Sequence, residues 1–388
     1  MSDSVRNIKT GVLTIPRDTP YLGKLLPGET LDDRGYIVRR NGTVYPSFDR
    51  SVLVCIETRD GVIGWGETYG IVAPGAVTAI IDDLLSGFVV GRDPWDAMVI
   101  HDELYDLMRV RGYSSGFYMD ALAAIDIALW DICGKQSGKP LAKLLGGKRR
   151  HSIPAYVSGL PCPTQNERSD LAAKWQSRGF DMFKTAGVAA DIPTLEEIAH
   201  LRERLGDNVK IAIDYHWAYT AADAIEIIRS LEPHRPWFVE APCKSEDIDG
   251  QARIATAVRV PIALGEEWRT VFDVRLRLDR QAVSIIQPEM GHTGVTEFVR
   301  MAQLAEAHHL QTIPHATIGL GIFLAASLQV SASIRSLPAH EYQHSIFDRN
   351  QYLITGDMRC EKGAYSIPTG PGLGVEPSEE ALRMIEYS

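Results

Sequence analysis

The chain has 388 residues, 45% of them hydrophobic and 23% charged, the balance of an ordinary globular protein with ample material for a core. Its formal net charge of −10 argues against nucleic acid or an anionic membrane as partner, since both require basic patches. Cys55, Cys133, Cys162, Cys243 and Cys360 form no Cys-x-x-Cys pair, no run approaches the roughly 18 apolar residues of a membrane span, and the first residues carry no apolar signal segment, so a reduced, cytoplasmic protein is expected.

Residues alternate with β-branched character at Ile8–Ile15 and Ser51–Thr58, and Asp60-Gly61 supplies a turn into Val62–Glu67. This predicts a small antiparallel sheet. Between the first two strands, Pro16 to Phe48 is rich in Gly, Pro, Arg and Asp and has no period. A loop that long in a compact domain is a lid or a binding loop unless it is disordered, and a lid is expected here. Helices are predicted over Ala76–Leu85, Pro94–Met108 and Phe117–Gly134; the last is apolar, with Asp126 and Asp131 expected to cap or pair. Leu141–Gly147 closes a first α+β domain spanning residues 1–150.

From Ile153 the pattern changes. Strands near Pro154–Ser158 and Asp181–Thr185 are each followed by a helical segment, about 166–177 and 194–205. Five short apolar runs then end at Asp214 (with His216 two residues on), Glu240, Glu266, Glu289 and His315, in steps of 26, 26, 23 and 26 residues. Each step is one strand plus one returning helix, with helices predicted near 221–231, 247–258, 271–279, 296–308 and 319–333. Such runs read as parallel strands buried on both faces, and strands of a βαβ series point the same way, so their carboxyl ends gather on one rim. The expected fold is α/β: a modified (β/α)7β TIM-like barrel over residues 151–344, with the α+β capping domain completed by a loop-rich tail at about 345–388.

An acid at a strand end can be no more than the N-cap of the next helix. Three in successive units, on the rim where closed barrels do their chemistry, would repel each other unless something positive sat among them. The all-oxygen set of Asp214, Glu240 and Glu266 favours Mg²⁺ over zinc or copper.

At this point the residues resemble a known family. Asp214-Tyr-His216, Phe238-Val-Glu240-Ala-Pro242, Gly265-Glu266, Ile286-Gln-Pro288 with Gly294, and Pro314-His315 are similar to barrel motifs of the enolase superfamily, mandelate racemase subgroup. Gly64-Trp-Gly-Glu67, Ala124–Ile132 and Leu144–Gly147 resemble the same group's first domain, so the likeness covers nearly the whole chain. Leu231–Pro236 and Ser284–Gly294 look like the acid-sugar dehydratases of that subgroup, the galactonate dehydratases in particular. The resemblance implies that Asp214, Glu240 and Glu266 bind Mg²⁺ and that His216 and His315 are the acid/base pair. It further implies that Glu289 holds the ring of His315, that Glu341 hydrogen-bonds the substrate near the metal, and that the chain forms a homo-oligomer between dimer and octamer. Three positions depart from the pattern. Lys184-Thr-Ala186 replaces the Lys-x-Lys of racemizing members, Glu289 stands where aspartate is usual, and Ala241 replaces the second acid of Glu-Glu-Pro.

The chemistry of the residues agrees. Removing the α-proton of a carboxylate needs a sink for the enediolate charge, which a held cation supplies and Lys184 would augment. His216, two residues past Asp214 on an expected extended stretch, points to the ligand side and, with an ordinary pKa near 6.5, serves as base. His315 beside Glu289 would stay imidazolium and protonate the departing β-hydroxide. The expected reaction is Mg²⁺-dependent dehydration of an aldonic or aldaric acid to a 2-keto-3-deoxy acid, a hydro-lyase step of carbohydrate-acid catabolism. An epimerase or lactone cycloisomerase using the same enediolate, or a non-catalytic sugar-acid binder, are the alternatives. His234, His292, His308 and His309 are read as structural. Specificity is expected from Pro16–Phe48, Arg109–Phe117, Trp217, Lys244 and Arg269.

Overall fold

A computed structural model describes residues 3–17, 24–25, 28–39, 42–186, 195–316 and 319–387. Val5–Ile15 pairs antiparallel with Asp49–Thr58, which pairs with Ile63–Tyr69. A fourth strand, Ile385–Tyr387, adds to the free edge of the first, with Ile385 opposite Leu13 and Tyr387 opposite Gly11. The tail thereby returns to the N-terminal sheet.

That sheet lies directly on the helix Gly116–Ser137, which is buried on almost every side. The contact is backbone to backbone: a Cβ on Gly66 would sit 1.8 Å from the carbonyl oxygen of Ala124, and one on Gly64 2.3 Å from that of Ala128. Only a Gly-x-Gly strand can approach a helix so closely. Asp126 and Asp131 of this helix pair as expected. Asp126 accepts from the Thr296 amide (2.9 Å) and hydroxyl (2.6 Å), and Asp131 from the amides of Trp65 (3.0 Å) and Leu373 (2.8 Å). One helix is therefore bonded to the N-terminal sheet, to a barrel helix and to the tail. Among the described residues no single helix is long and apolar enough to cross a membrane.

Among the described residues, eight parallel strands form the barrel: Ser152–Gly159, Met182–Ala186, Lys210–Asp214, Val239–Glu240, Ile262–Leu264, Ile285–Ile286, Gln311–Thr312 and His340–Tyr342. The first seven pair in chain order, and the eighth pairs with the first through His340 and Ala155. Seven helices alternate with them: Gln165–Gln176, Leu195–Leu205, Ala221–Leu231, Ile248–Ala257, Val271–Leu278, Met290–Ala307 and Ile322–Ser333. Tyr156, Met182, Ala212, Phe238, Ala263, Ile285, Ile313 and Ala339, one from each strand or its flank, fill the interior. This is the packed plug of a closed (β/α)7β barrel, so ligands have access only at its ends.

The structure differs from expectation in three places. The eighth strand is three residues with two polar side chains, too short and too polar to show a period. The sixth barrel helix starts at Met290, six residues before the predicted 296, because Glu289 caps it; the left-handed Gly294 (φ 66°) interrupts the early turns that the periodicity missed. The predicted loop holds a hairpin, Tyr36–Val38 with Val44–Pro46, while residues 18–23, 26–27 and 40–41 of the expected lid lie outside the described residues.

Candidate active site

The carboxyl ends of the strands converge on one pocket. At its floor Lys184 Nζ lies 2.8 Å from Glu240 Oε2 and 3.0 Å from Glu341 Oε1. Gln287 Nε2 donates to the same Glu240 oxygen at 2.8 Å, Ser158 Oγ donates to Glu341 Oε1, and the Ala316 amide donates to Glu341 Oε2 at 3.0 Å. Burial pulls the Lys184 pKa down, but Glu240 and Glu341 overcome it and hold the ammonium well above its usual value. The carboxylates are less well balanced. Burial, with neighbouring carboxylates adding to it and Lys184 opposing, pushes Asp214 up to about 7 and Glu240 up to about 8.

The wall after the sixth and seventh strands is built around His315. Its Nδ1 meets Glu289 Oε2 and its Nε2 meets Glu266 Oε2, both at 2.9 Å. Burial disfavours the charged ring, but Glu266 and Glu341 outweigh it, and the His315 pKa stands well above 6.5. Burial likewise pushes Glu266 up, and His315 more than reverses the effect, leaving Glu266 ionised. Glu289 also accepts from the Tyr69 hydroxyl at 3.0 Å and from the Gly291 amide at 3.2 Å. Behind this wall Glu67, fully buried, accepts from Ser51 Oγ and from the amides of Leu320, Gly321 (3.3 Å) and Phe323 (3.0 Å). An acid from the N-terminal sheet thus caps the helix that follows the seventh strand.

The wall after the third strand is built differently. The strand ends at Asp214, and His216 and Trp217 turn into the left-handed region with φ of 48° and 57°. The extended geometry expected for His216 is therefore wrong. The ring reaches the pocket because the chain turns, and Asp214 Oδ1 holds the turn by accepting from the His216 amide at 2.8 Å. His216 Nε2 faces the Tyr45 hydroxyl at 3.0 Å, while Nδ1 is buried without a hydrogen-bond partner, 3.9 Å from Glu266 Oε1. Burial lowers the His216 pKa, which keeps the ring neutral.

Lys184, Asp214, His216, Glu266, His315 and Glu341 all line this pocket, with Glu240 bonded to Lys184 and Glu289 to His315. Among the described residues, the group of ligand atoms that lie within 4.8 Å of one another belongs to Glu240, Glu266 and His315, without Asp214. Glu266 turns to the imidazolium, its Oε2 2.9 Å from His315 Nε2. The donor set suits a hard cation: the acids are crowded and buried, and Glu240 Oε1 has no partner. Of the expected specificity positions Arg269 and, from the stretch Pro16–Phe48, Tyr45 line the pocket, whereas Trp217, Lys244 and Arg109–Phe117 do not. His292, read as structural, does line it, stacked on Tyr69 at 4.1 Å with Nδ1 2.8 Å from Asp120 Oδ1. Sequence reasoning also missed Tyr69, Glu267 and Gln343. Tyr69, two residues past Glu67, could have been found from the Gly-Trp-Gly-Glu motif; the others carry no signal of their own.

Comparison with known proteins agrees with this geometry. Residues 167–381 match the enolase C-terminal domain-like family, and residues 42–146 match the mandelate racemase / muconate lactonizing enzyme N-terminal domain. The chain is 34% identical over 351 residues to the D-galactarolactone cycloisomerase of Agrobacterium fabrum, covering 86% of this chain and 91% of that protein. It is 33% identical over 362 residues to the D-galactonate dehydratase of Xanthomonas euvesicatoria, covering 88% and 92%. The crystal structure of an enolase superfamily member from Agrobacterium tumefaciens superposes with a TM-score of 0.97 at 55% identity over the full length of both chains. A Streptomyces coelicolor racemase solved with bound magnesium superposes with a TM-score of 0.83 at 25% identity, covering 98% of this chain and 100% of that one, and Mg²⁺ is the cofactor that this family uses. With both domains matched and the barrel rim laid out as described, the chain belongs to the enolase superfamily and is one of its enzymes.

Proposed function

We propose that this enzyme is a hydro-lyase that dehydrates a sugar acid. The observation that carries it is the contrast between two histidines facing one pocket: His216 buried against a phenol with Nδ1 unpartnered, and His315 clamped between two carboxylates. The first is a base and the second an acid. Asp214, Glu240 and Glu266 would hold Mg²⁺, which when bound supplies a Lewis acid for the substrate carboxylate. His216 Nδ1 takes the α-proton, the C–H electron pair becomes a C=C bond, and the bond from the β-carbon to its hydroxyl breaks. His315 gives a proton to the departing hydroxide, which leaves as water, and the enol tautomerises to a 2-keto-3-deoxy acid. Lys184 stays charged between Glu240 and Glu341 and lends positive potential to the same carboxylate. Ala186, where racemizing members carry a second lysine, moves no proton.

The galactonate dehydratase relative supports this reaction. The galactarolactone cycloisomerase relative favours a second reading, in which the group expelled is the ring oxygen of a lactone rather than a free hydroxide. Incubation with sugar acids and their lactones in Mg²⁺, followed by NMR of the products, separates the two. Water loss from an open-chain acid to a 2-keto-3-deoxy product is expected. Reaction of lactones alone would overturn the dehydratase assignment in favour of the second.

A further inference from the structure

Glu267 follows Glu266 and lines the same pocket. Both its carboxylate oxygens are buried, and neither has a hydrogen-bond partner. Gln343 Oε1 and His216 Nδ1, in the same lining, are also buried and unpartnered. Leaving a buried carboxylate without donors is costly, and groups left so are expected where a ligand brings the donors. The hydroxyls of a polyol chain are such donors.

The positive groups point to the same conclusion from the other side. Among the described residues, the only lysine and arginine lining the pocket are Lys184 and Arg269. Lys184 is held between Glu240 and Glu341. Arg269 engages all three of its nitrogens on the protein: Nε donates to Asp120 Oδ1 at 3.2 Å, Nη1 to the Glu267 carbonyl at 2.5 Å, and Nη2 faces His292 Nε2 at 3.4 Å. Among the described residues, a second substrate carboxylate would find no uncommitted lysine or arginine in this lining.

We infer that Glu267 accepts hydrogen bonds from substrate hydroxyls, in a pocket that takes a sugar acid with one free carboxylate over the corresponding dicarboxylate. This narrows the substrate class and rests on the reading that the pocket takes a sugar acid. The test pairs D-galactonate with galactarate and D-gluconate with D-glucarate, on the wild type, Glu267→Gln and Glu267→Ala, all loaded with Mg²⁺. It measures kcat and KM for 2-keto-acid formation and, independently of turnover, Kd by calorimetry.

The wild type should favour the monoacid of a pair by about tenfold or more in both kcat/KM and Kd. Glu267→Gln, which keeps an acceptor oxygen, should bind the monoacid within a few-fold of the wild type, while Glu267→Ala should weaken monoacid binding by roughly tenfold. A wild type that prefers the dicarboxylate, or monoacid binding unchanged in Glu267→Ala, would overturn the inference. If both acids bind but none reacts, the dehydratase assignment fails, and the Kd of Glu267→Ala still decides the role of Glu267. If no sugar acid binds, both fail.

Discussion

The two walls of the pocket carry the same kind of side chain in opposite ways. His315 sits in a lattice of buried partners: Glu289 and Glu266 on its two nitrogens, Tyr69 behind Glu289, and Glu67 capping the helix that follows. His216 stands on two residues with positive φ and meets one hydroxyl from a hairpin of the N-terminal domain. The first wall fixes a charge by surrounding it. The second leaves a lone pair open and depends on a segment that must itself be placed. A base needs an unpartnered nitrogen and an acid needs a stabilised cation, so the difference in packing matches the division of roles proposed above.

The sharpest way to break the comparison is to remove each ring in turn. His315→Asn should lower dehydration about a thousandfold while α-proton exchange into D₂O continues, because the base is untouched. His216→Asn should abolish both while preserving the fold and Mg²⁺ affinity. Deuterium incorporation followed by NMR reads the split, and loss of exchange in both variants would show that the two walls do not divide the work.

Acid should also be felt beside the clamped wall. His340, in the eighth strand, donates from Nδ1 to the Glu341 carbonyl (2.9 Å) and faces Ser327 Oγ with Nε2 (2.8 Å), and burial lowers its pKa from 6.5 to about 4. A depressed folded-state pKa contributes stability that is intact above about 6.5 and is lost as pH falls toward 4, here about 3 kcal/mol. Denaturant unfolding across that window should therefore show a smaller acid loss in His340→Gln than in the wild type. Equal slopes would contradict it.

Smaller changes should sharpen the contrast. Glu289→Gln keeps the size of the His315 partner but removes its charge, and kcat should fall roughly 30-fold with little change in KM. Tyr45→Phe removes the one hydroxyl at His216 Nε2 and should cost about fivefold, in keeping with a single hydrogen bond. If the phenylalanine variant suffers more than Glu289→Gln, the open wall is the more tightly determined of the two.

Much of this was legible in the sequence, and physics says why. Apolar runs of strand length ending in Asp214, Glu240, Glu266, Glu289 and His315 announce a rim, because a parallel strand must be apolar until it leaves the barrel. The eighth strand, three residues with little apolar content, offers no such run. The grouping of Glu266 with His315 was hidden because it depends on which neighbour carries opposite charge in three dimensions. Tyr45, Tyr69 and His292 reach the pocket through contacts between segments far apart in the chain, and spacing along one segment says nothing about those. Glu267 was masked by its neighbour: next to a strand-end acid, a second acid reads as a solvated turn.

The pairing of Ile385–Tyr387 with Leu13–Gly11 has a consequence for how the molecule is made. During synthesis, the hydrogen-bonding edge of the first strand waits for a partner that emerges more than 370 residues later. Until then an exposed strand edge is available to neighbouring nascent chains. Clipping those few residues should therefore be felt less in turnover by the folded enzyme than in the yield of enzyme that folds without clumping.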